Sequence, residues 1–325
     1  MAHEVGLTGL GDRVETLAQM LARAERKALV WPGEVSRRTR AYRDARDTLK
    51  GYGAEIAAEP QELAERARLI VVASGARRLR SVAARLGEHL QGHHRIVHTA
   101  HGLEPETGLR GSEVLLEETP TRQVGALVGP TWSSAHLAGK PTAAVVSSRF
   151  PAVIAEVQGA FGGPMSRVYG NPDLVGVEVA GATADLIAVA VGIGDALDLG
   201  EGLRGTIFAR GLAEMGRLGV ALGGQQQTAS GMAGLGYLIA QTSGEGRDPY
   251  KAGRALASGK KLGDMEALFG DRVEELAMSG AAVLARAEGK RVEAHITAQV
   301  HRLLTGEGTA AEALLSLLSL SQMME

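Results

Sequence analysis

The sequence predicts two domains, an α/β domain with a doubly wound, mostly parallel sheet over residues 1–175 and an all-α domain over residues 176–325. In the first half, short β-branched runs alternate with helical patterns, which is typical of right-handed βαβ units. The run 69–73 is wholly apolar, as in strands that are buried on both faces of a parallel sheet. Beyond about residue 171 the chain is rich in Ala, Leu and Gly, and it shows no strand pattern.

Each element follows from its local pattern. A helix is predicted after the first strand and ends near Arg23, an arginine-rich helix follows the second strand, and a third covers 77–90. Seven strands are predicted in the first domain, at 4–8, 28–31, 69–73, 95–98, 124–128, 142–147 and 166–169. The helical stretches of the second domain are 171–198, 203–222, 271–304 and 308–320.

Composition excludes several classes of protein. The 325 residues are 45% hydrophobic and 22% charged, as in ordinary globular proteins. A net charge of −2 and 3% aromatic residues argue against a nucleic-acid binder. The lack of cysteine excludes disulfides and a thiolate nucleophile. We expect no signal peptide and, because acidic residues interrupt the apolar stretches before about 18 residues, no membrane span. The sequence therefore predicts a cytoplasmic protein.

A glycine-rich turn separates the first strand from the first helix. Gly9 and Gly11 begin the spacing of a dinucleotide-binding turn, in which the backbone approaches a pyrophosphate at the helix N-terminus. The third glycine of that pattern is replaced by Val14, which we expect to push the helix away from the strand or to shift the loop. Asp12 places a carboxylate near the phosphates. NAD or NADP is therefore expected to bind weakly or not at all, and the alternative is a turn that binds nothing.

The end of the second strand carries the residues that would choose between the two cofactors. Glu34 follows Gly11 by 23 residues and could accept a hydrogen bond from a ribose 2′-hydroxyl, which favours NAD. Arg37, Arg38 and the neighbouring Arg40 would suit the 2′-phosphate of NADP. A solvated basic helix face is the third interpretation, and the sequence leaves the choice open.

Long segments along the chain match the motifs of one enzyme family. They are Val71-Val72-Ala73-Ser74, Gly102-Leu103-Glu104, the stretches 128–132 and 139–143, and, in the second domain, 168–178, 209–215 and 231–236. These segments resemble the NAD(P)-dependent glycerol-3-phosphate dehydrogenase family, whose enzymes reduce dihydroxyacetone phosphate to sn-glycerol 3-phosphate. The resemblance extends from residue 4 to about residue 320. It implies a Rossmann-type first domain and a small-molecule or nucleotide ligand in the cleft between the domains, and a homodimer is among the expected assemblies.

The resemblance also shows which residues of the family's reaction centre are replaced. The two family lysines fall on His101 and Ala184, the Asn after the second lysine on Asp185, the Asp on Tyr237, and the Ser-Arg-Asn that meets phosphate and cofactor on Gly246, Arg247 and Asp248. Hydride transfer to a ketone builds negative charge on its oxygen, which needs a proton donor or a fixed cation. Ala184 offers neither, so we expect the family reaction to be impaired. Arg247 is the residue of the last motif that is kept.

Three hypotheses follow from these replacements. The first is a divergent, catalytically impaired member that serves nucleotide binding, partner binding or regulation. The second is an active oxidoreductase on a different hydroxy or keto substrate, with His101 as general acid and Tyr237 assisting. In that position His101 could equally fill the space of the lysine. The third hypothesis, an unmodified dehydrogenase, is the weakest chemically. Whether the chain is an enzyme is left open by its sequence.

Five of the nine histidines lie between residues 89 and 101. His89 and His93 have the spacing of one helix face, but Gly92 is expected to end that helix, and Glu88 is the one acidic residue at a useful spacing. We therefore predict no metal site and interpret these histidines as exposed loop residues.

Overall fold

The computed structural model describes residues 4–33, 36–129, 137–244, 246–270 and 272–319. They form two compact units. The first comprises the chain up to His101 together with Leu109–Glu178, and the second comprises Gly102–Gly108 and the chain from Val179 onward. The short segment Gly102–Gly108 therefore packs with the second unit rather than with the residues on either side of it.

An eight-stranded sheet forms the centre of the first unit, with the order β3-β2-β1-β4-β5-β6-β7-β8. The strands are β1 (Glu4–Thr8), β2 (Ala28–Trp31), β3 (Glu55–Ile56), β4 (Ala67–Val72), β5 (Arg95–His98), β6 (Val124–Val128), β7 (Thr142–Ser147) and β8 (Ser166–Asn171). All neighbours pair in parallel except β6 and β7, which are antiparallel. The predicted doubly wound, mostly parallel sheet is confirmed. The two-residue strand β3 was not predicted.

Helices cover both faces of this sheet. They are α1 (Asp12–Arg23), α2 (Arg40–Gly51), α3 (Pro60–Arg66), α4 (Ala76–Gly87), α5 (Gly111–Glu118) and α6 (Pro151–Phe161). One core packs Leu17 and Leu21 of α1 against Leu7, and the other packs Leu79 of α4 against Ile70. Successive residues of a strand point to opposite faces, which is why the strands are apolar at nearly every position.

The second unit is helical throughout its described residues, as predicted. Its helices are α7 (Leu174–Ala196), α8 (Gly200–Ala221), α9 (Gln226–Ala229), a π-helical turn (Met232–Gly236), α10 (Tyr237–Thr242), α11 (Asp248–Ala257), α12 (Leu262–Phe269), α13 (Arg272–Gly289), α14 (His295–Leu304) and α15 (Ala310–Ser319). The helical stretch predicted over 271–304 contains two helices, α13 and α14. Arg291 has a φ of 57° and ends the first of them, because a left-handed residue closes a helix.

Helix α7 is long and apolar enough to cross a membrane, with 23 residues and a mean hydropathy of 1.9 in its most apolar window. Acidic residues do interrupt α7, as expected, since Glu178, Asp185 and Asp195 lie in it, but its mean hydropathy is still that of a membrane-spanning helix. Within the protein, however, 94% of that window is buried. A helix that packs on all sides against protein needs this composition, so burial in the core accounts for it.

Two glycines bring α7 and α11 into close contact. A Cβ atom on Gly192 of α7 would overlap the carbonyl oxygen of Tyr250, and one on Gly253 of α11 would overlap the carbonyl oxygen of Val189. The two backbones therefore touch at two points where only glycine fits. This contact fixes the position of α11, which begins directly after Arg247, against the helix that carries Asp185.

Candidate functional site

The glycine turn of the first unit has the backbone geometry that a phosphate-binding turn requires. Gly9 and Gly11 have φ values of 99° and 98°, which side-chain-bearing residues rarely adopt. The N–H of Gly9 donates to the carbonyl of Trp31 at 2.9 Å, and no side chain among the described residues caps the N-terminus of α1. The first backbone N–H groups of α1 are therefore arranged as at anion-binding helix ends.

Val14 does not disrupt this turn. Its side chain is fully buried in the core on the α1 face of the sheet. A Cβ atom placed on Gly9 would lie 3.6 Å from Val14 Cγ2, an ordinary van der Waals separation. The isopropyl group of Val14 therefore packs into the core beside the turn, and a displacement of α1 from β1 stays a prediction.

Arg13 lies at the carboxyl edge of the sheet, and the sequence pattern did not single it out. Its Nη1 donates to the carbonyl oxygen of Ser74 at 3.3 Å and to Thr99 Oγ1 at 3.4 Å. These acceptors follow β4 and β5, so the guanidinium of Arg13 spans the ends of neighbouring strands. Its position two residues after Gly11 was the available signal, since that turn is where ligands of doubly wound sheets bind.

The residues of this edge fit a nucleotide. Besides the turn, the hydroxyl oxygens of Thr8 and Ser74 are buried and accept or donate no hydrogen bond among the described residues. Buried hydroxyls normally have partners, so these two atoms suit the polar groups of a ligand. Asp12 is exposed at the start of α1, and Arg13 brings a compensating positive charge. Glu34, the predicted ribose-binding residue, lies outside the described residues.

His101 follows β5 and is half-buried in the first unit. The structure places the other candidate catalytic residues, Tyr237 and Ala184, in the second unit, together with Arg247. Within that unit Tyr237 and Arg247 belong to one cluster of polar side chains.

A buried network anchors the end of β5 to the beginning of α7. The carboxylate of Glu178 accepts hydrogen bonds from His98 Nε2 at 2.9 Å, Arg110 Nη1 at 2.6 Å, and the N–H and hydroxyl of Ser112, both at 2.7 Å. Burial alone raises the pKa of Glu178, but the hydrogen bond and charge of His98, the charge of Arg110 and the N–H of Ser112 outweigh it, and the pKa is lowered. Because every carboxylate oxygen has a partner, this network is structural.

In the second unit, the position of the family's second lysine offers no reactive group. Ala184 is fully buried on α7. The next residue, Asp185, accepts a hydrogen bond from Gln241 Nε2 through its Oδ1. The same nitrogen donates to the hydroxyl oxygen of Tyr237 at 2.7 Å. The sequence pattern did not identify Gln241; the signal was its spacing of four residues from Tyr237, which places both side chains on one face of α10.

Arg247 completes this group of residues, which we call the Asp185 cluster: Asp185, Tyr237, Gln241 and Arg247. The backbone N–H of Arg247 donates to the backbone carbonyl oxygen of Gln241 at 2.9 Å. Burial lowers the pKa of the Arg247 guanidinium, and its electrostatic interactions with Tyr237, Asp185 and Asp248 partly oppose that effect. Arg247, the residue of the family motif that is kept, is therefore held beside carboxylates of the chain itself.

Asp248, which follows Arg247, forms an ion pair with Arg272 at 2.6 Å. Arg272 is 61% exposed, so solvent screens this pair. It offsets the charge of Asp248 without adding a positive charge to the Asp185 cluster.

The histidine-rich segment of the first unit lies beside a surface hollow lined by residues such as Gln61, His89 and His93. His94 and His98 are buried, contrary to the expectation of exposed loop histidines, and His94 Nε2 lies 2.8 Å from the carbonyl oxygen of Ala64. In the part of the chain that the structure describes, no three His, Asp or Glu side chains are grouped so that they could hold a metal ion.

Comparison with known proteins agrees with this architecture. Residues 4–153 match the model of the NAD-dependent glycerol-3-phosphate dehydrogenase N-terminus, and residues 173–315 match that of its C-terminus. A glycerol-3-phosphate dehydrogenase [NAD(P)+] of Acidobacterium capsulatum is 33% identical over 329 residues, with 97% of each chain covered. One of Geobacter sulfurreducens is 34% identical over 331 residues, with 98% of each chain covered.

Solved structures show the same fold. The crystal structure of glycerol-3-phosphate dehydrogenase from Coxiella burnetii has a TM-score of 0.87 at 26% identity and covers 98% of this chain and 99% of its own. A solved structure of Plasmodium falciparum glycerol-3-phosphate dehydrogenase has a TM-score of 0.86 and covers 99% of this chain and 97% of its own; at 16% identity it shows the fold alone. The first unit is thus a Rossmann-type domain, and the chain belongs to the NAD-dependent glycerol-3-phosphate dehydrogenase family.

Proposed function

We propose that this chain does not reduce dihydroxyacetone phosphate and instead serves as a nucleotide- or partner-binding regulatory protein built on the dehydrogenase fold. The observation that carries the proposal is the Asp185 cluster next to the buried Ala184. Where the resemblance places a lysine and neutral amides, the second unit has a methyl group and carboxylates.

The chemistry of the family reaction explains why these replacements matter. Reduction of a ketone needs a proton donor or a fixed cation at the carbonyl oxygen, and loss of a general acid alone costs about 10²–10⁴-fold in rate. Ala184 has no proton to give, and Gln241 Nε2 already donates to both Asp185 and Tyr237. Arg247 lies beside Asp185, which opposes the binding of a phosphate dianion.

The first unit, in contrast, supports nucleotide binding. The positive φ values of Gly9 and Gly11, the uncapped N-terminus of α1 and the buried hydroxyls of Thr8 and Ser74 suit a pyrophosphate-bearing cofactor. NAD or NADP would supply a hydride donor when bound; the residues of this chain would hold and orient it. Glu34 favours NAD and the arginines after it favour NADP, so the proposal covers both. A cytoplasmic location and a homodimer both stay predictions from the sequence.

One observation favours a second function, reduction of a different hydroxy or keto substrate. Tyr237 is buried beside Arg247, and its oxygen accepts a hydrogen bond, so a positioned phenol is present in the Asp185 cluster. Tyr237 in the second unit and His101 in the first are the two proton donors that this alternative names in place of Ala184.

A steady-state assay with dihydroxyacetone phosphate and NADH or NADPH tests the proposal, with calorimetric titration of both cofactors alongside it. We expect cofactor binding without turnover above the uncatalysed rate. Turnover of about 1 s⁻¹ or more, an ordinary enzyme rate, would overturn the proposal. In that case His101→Ala or Tyr237→Phe should abolish it.

A variant that carries the residues of the family pattern provides a matched gain-of-function test. Changing Ala184 and His101 to lysine, with Asp185→Asn and Tyr237→Asp, restores the residues that the resemblance places at these positions. We expect measurable turnover from this variant only if the cofactor still binds to the turn at Gly9 and Gly11.

A further inference from the structure

The carbonyl oxygen of the Gln241 side chain is a buried acceptor that the proposed function does not use. Gln241 is 2% exposed, and its Nε2 donates to Asp185 Oδ1 and to the oxygen of Tyr237. Exchanging the amide oxygen and nitrogen would bring an acceptor against the Asp185 carboxylate, so these contacts fix the orientation of the amide. The oxygen, Oε1, has no hydrogen-bond partner among the described residues. Buried amide oxygens normally have one, so this atom points to a ligand that donates a hydrogen bond.

The formal charge of the residues around Gln241 indicates what kind of ligand would donate this hydrogen bond. The resemblance assigns the positions 184, 185, 237, 247 and 248 the residues Lys, Asn, Asp, Arg and Asn, a formal charge of +1. In this chain they are Ala184, Asp185, Tyr237, Arg247 and Asp248, a formal charge of −1. Two units of positive charge are lost, which is the charge needed to balance a phosphate dianion.

Arg272 offsets part of this change through its ion pair with Asp248 at 2.6 Å. With Arg272 included, the group is formally neutral, and Asp185 accepts a hydrogen bond from the amide of Gln241 and interacts electrostatically with Arg247. A ligand that complements such a group is neutral or carries one positive charge, and it brings hydrogen-bond donors rather than acceptors.

We propose that the Asp185 cluster binds a small neutral polyol or a monocationic amino alcohol, with Gln241 Oε1 and the Asp185 carboxylate accepting its hydrogens, and that it does not take a phosphate monoester. Gln241 and Asp185 are then the residues that determine specificity. The inference rests on the proposed function, since a chain that reduced dihydroxyacetone phosphate would have to bind its phosphate.

Three probes on one three-carbon frame test the inference by calorimetric titration of the whole chain: glycerol, 2-amino-1,3-propanediol and sn-glycerol 3-phosphate. We expect the amino alcohol to bind at least about tenfold more tightly than the phosphate ester, because Asp185 attracts the first and repels the second. Glycerol should bind between them. Tightest binding of the phosphate ester, or binding of none of the probes at tens of millimolar, overturns the inference.

Variants assign the effect to the named residues. Asp185→Asn keeps the shape of the side chain, so it should fold, and it should reverse the preference towards sn-glycerol 3-phosphate. Gln241→Leu should weaken binding of glycerol and of the amino alcohol about tenfold, since both lose an acceptor. Asp198→Asn removes a charge at an exposed position of the same unit and should change none of the three affinities. An unchanged preference in Asp185→Asn contradicts the inference.

The reductase assay distinguishes failure of the proposed function from failure of the present inference. Turnover of dihydroxyacetone phosphate would overturn the proposed function. If there is no turnover but sn-glycerol 3-phosphate binds most tightly, only the present inference fails.

Discussion

The glycine turn of the first unit and the Asp185 cluster of the second have responded differently to substitution. The turn is made of backbone groups, and it keeps its two positive φ values although Val14 and Asp12 depart from the usual pattern. The Asp185 cluster is made of side chains; at its positions and at Ala184 the resemblance assigns lysine, amide and aspartate, and Arg247 is the residue of the assigned Ser-Arg-Asn motif that is kept. A site built from backbone tolerates changes in its neighbours, whereas a site built from side chains is lost one functional group at a time.

The largest effect is expected where a side-chain network has been kept intact. Glu178→Gln should lower the free energy of unfolding by about 3–5 kcal/mol, because His98 and Arg110 lose a buried carboxylate partner. Urea denaturation of both chains measures this difference. Glu307→Gln is the control, since the pair of Glu307 with Arg302 is exposed and long at 3.6 Å. A loss below about 1 kcal/mol would show that the network contributes as little as a surface ion pair.

The same carboxylate predicts a pH dependence. The folded-state pKa of Glu178 is lowered from its ordinary value of 4.5, so its stabilisation is complete above pH 4.5 and is lost as the pH falls through the lower folded-state pKa. The stability of the unmodified chain should therefore fall more steeply in acid than that of Glu178→Gln. Denaturation midpoints across the acid range test this, and parallel curves for the two chains would contradict it.

A substitution that distorts the backbone of the glycine turn should abolish nucleotide binding. Gly11→Val forces a β-branched residue to a φ of 98°, although a Cβ atom there meets no atom within 4 Å. We expect calorimetry to show a loss of at least about 100-fold in NADH affinity, or about 2.7 kcal/mol. Gly200→Val is the matched control, because Gly200 has a φ of 79° and equally open surroundings in the second unit. If both variants bind NADH as well as the unmodified chain does, the turn is not the nucleotide site.

The scaffold beneath the Asp185 cluster can be broken separately. Gly192→Ala should cost about 1–3 kcal/mol of stability, because its methyl group overlaps the Tyr250 carbonyl and forces α7 and α11 apart. Gly202→Ala lies in α8 with no atom within 4 Å of its Cβ position and should instead stabilise by about 0.5–1 kcal/mol. Thermal denaturation compares the two, and equal shifts would show that the helix contact is loose.

The smallest effect is expected inside the Asp185 cluster. Tyr237→Phe removes the oxygen that accepts from Gln241 and should destabilise by about 1 kcal/mol, as for one buried hydrogen bond. Tyr169→Phe, at a half-exposed strand position, should change nothing. A stability equal to that of the unmodified chain would mean that Gln241 finds another acceptor.

Much of the fold could be predicted from sequence because apolar runs mark strands that are buried on both faces. Strand β3 has only Glu55 and Ile56, too few for a periodic signal. The break between α13 and α14 was missed because no proline marks it, and Arg291 shows its left-handed backbone only in three dimensions.

The candidate site was less predictable, for a different reason. Sequence comparison with the family identified the replaced positions, but it could not show what took over their hydrogen bonds. The part that Gln241 plays is shown only by the structure, in which its amide nitrogen donates hydrogen bonds to both Asp185 and Tyr237. Val14 shows the opposite case, since a residue that looks incompatible by pattern fits because the core makes room for it.

The reciprocal glycine contact between α7 and α11 bears on how such a protein can evolve. Helices locked at Gly192 and Gly253 cannot slide to widen or narrow the space near Asp185 and Arg247. Proteins with this fold therefore acquire new ligands by substitution of side chains, while the backbone of α7 and α11 keeps its arrangement. Each such exchange replaces one side chain and changes the free energy of unfolding little. Ligand specificity can therefore change widely while the fold is retained.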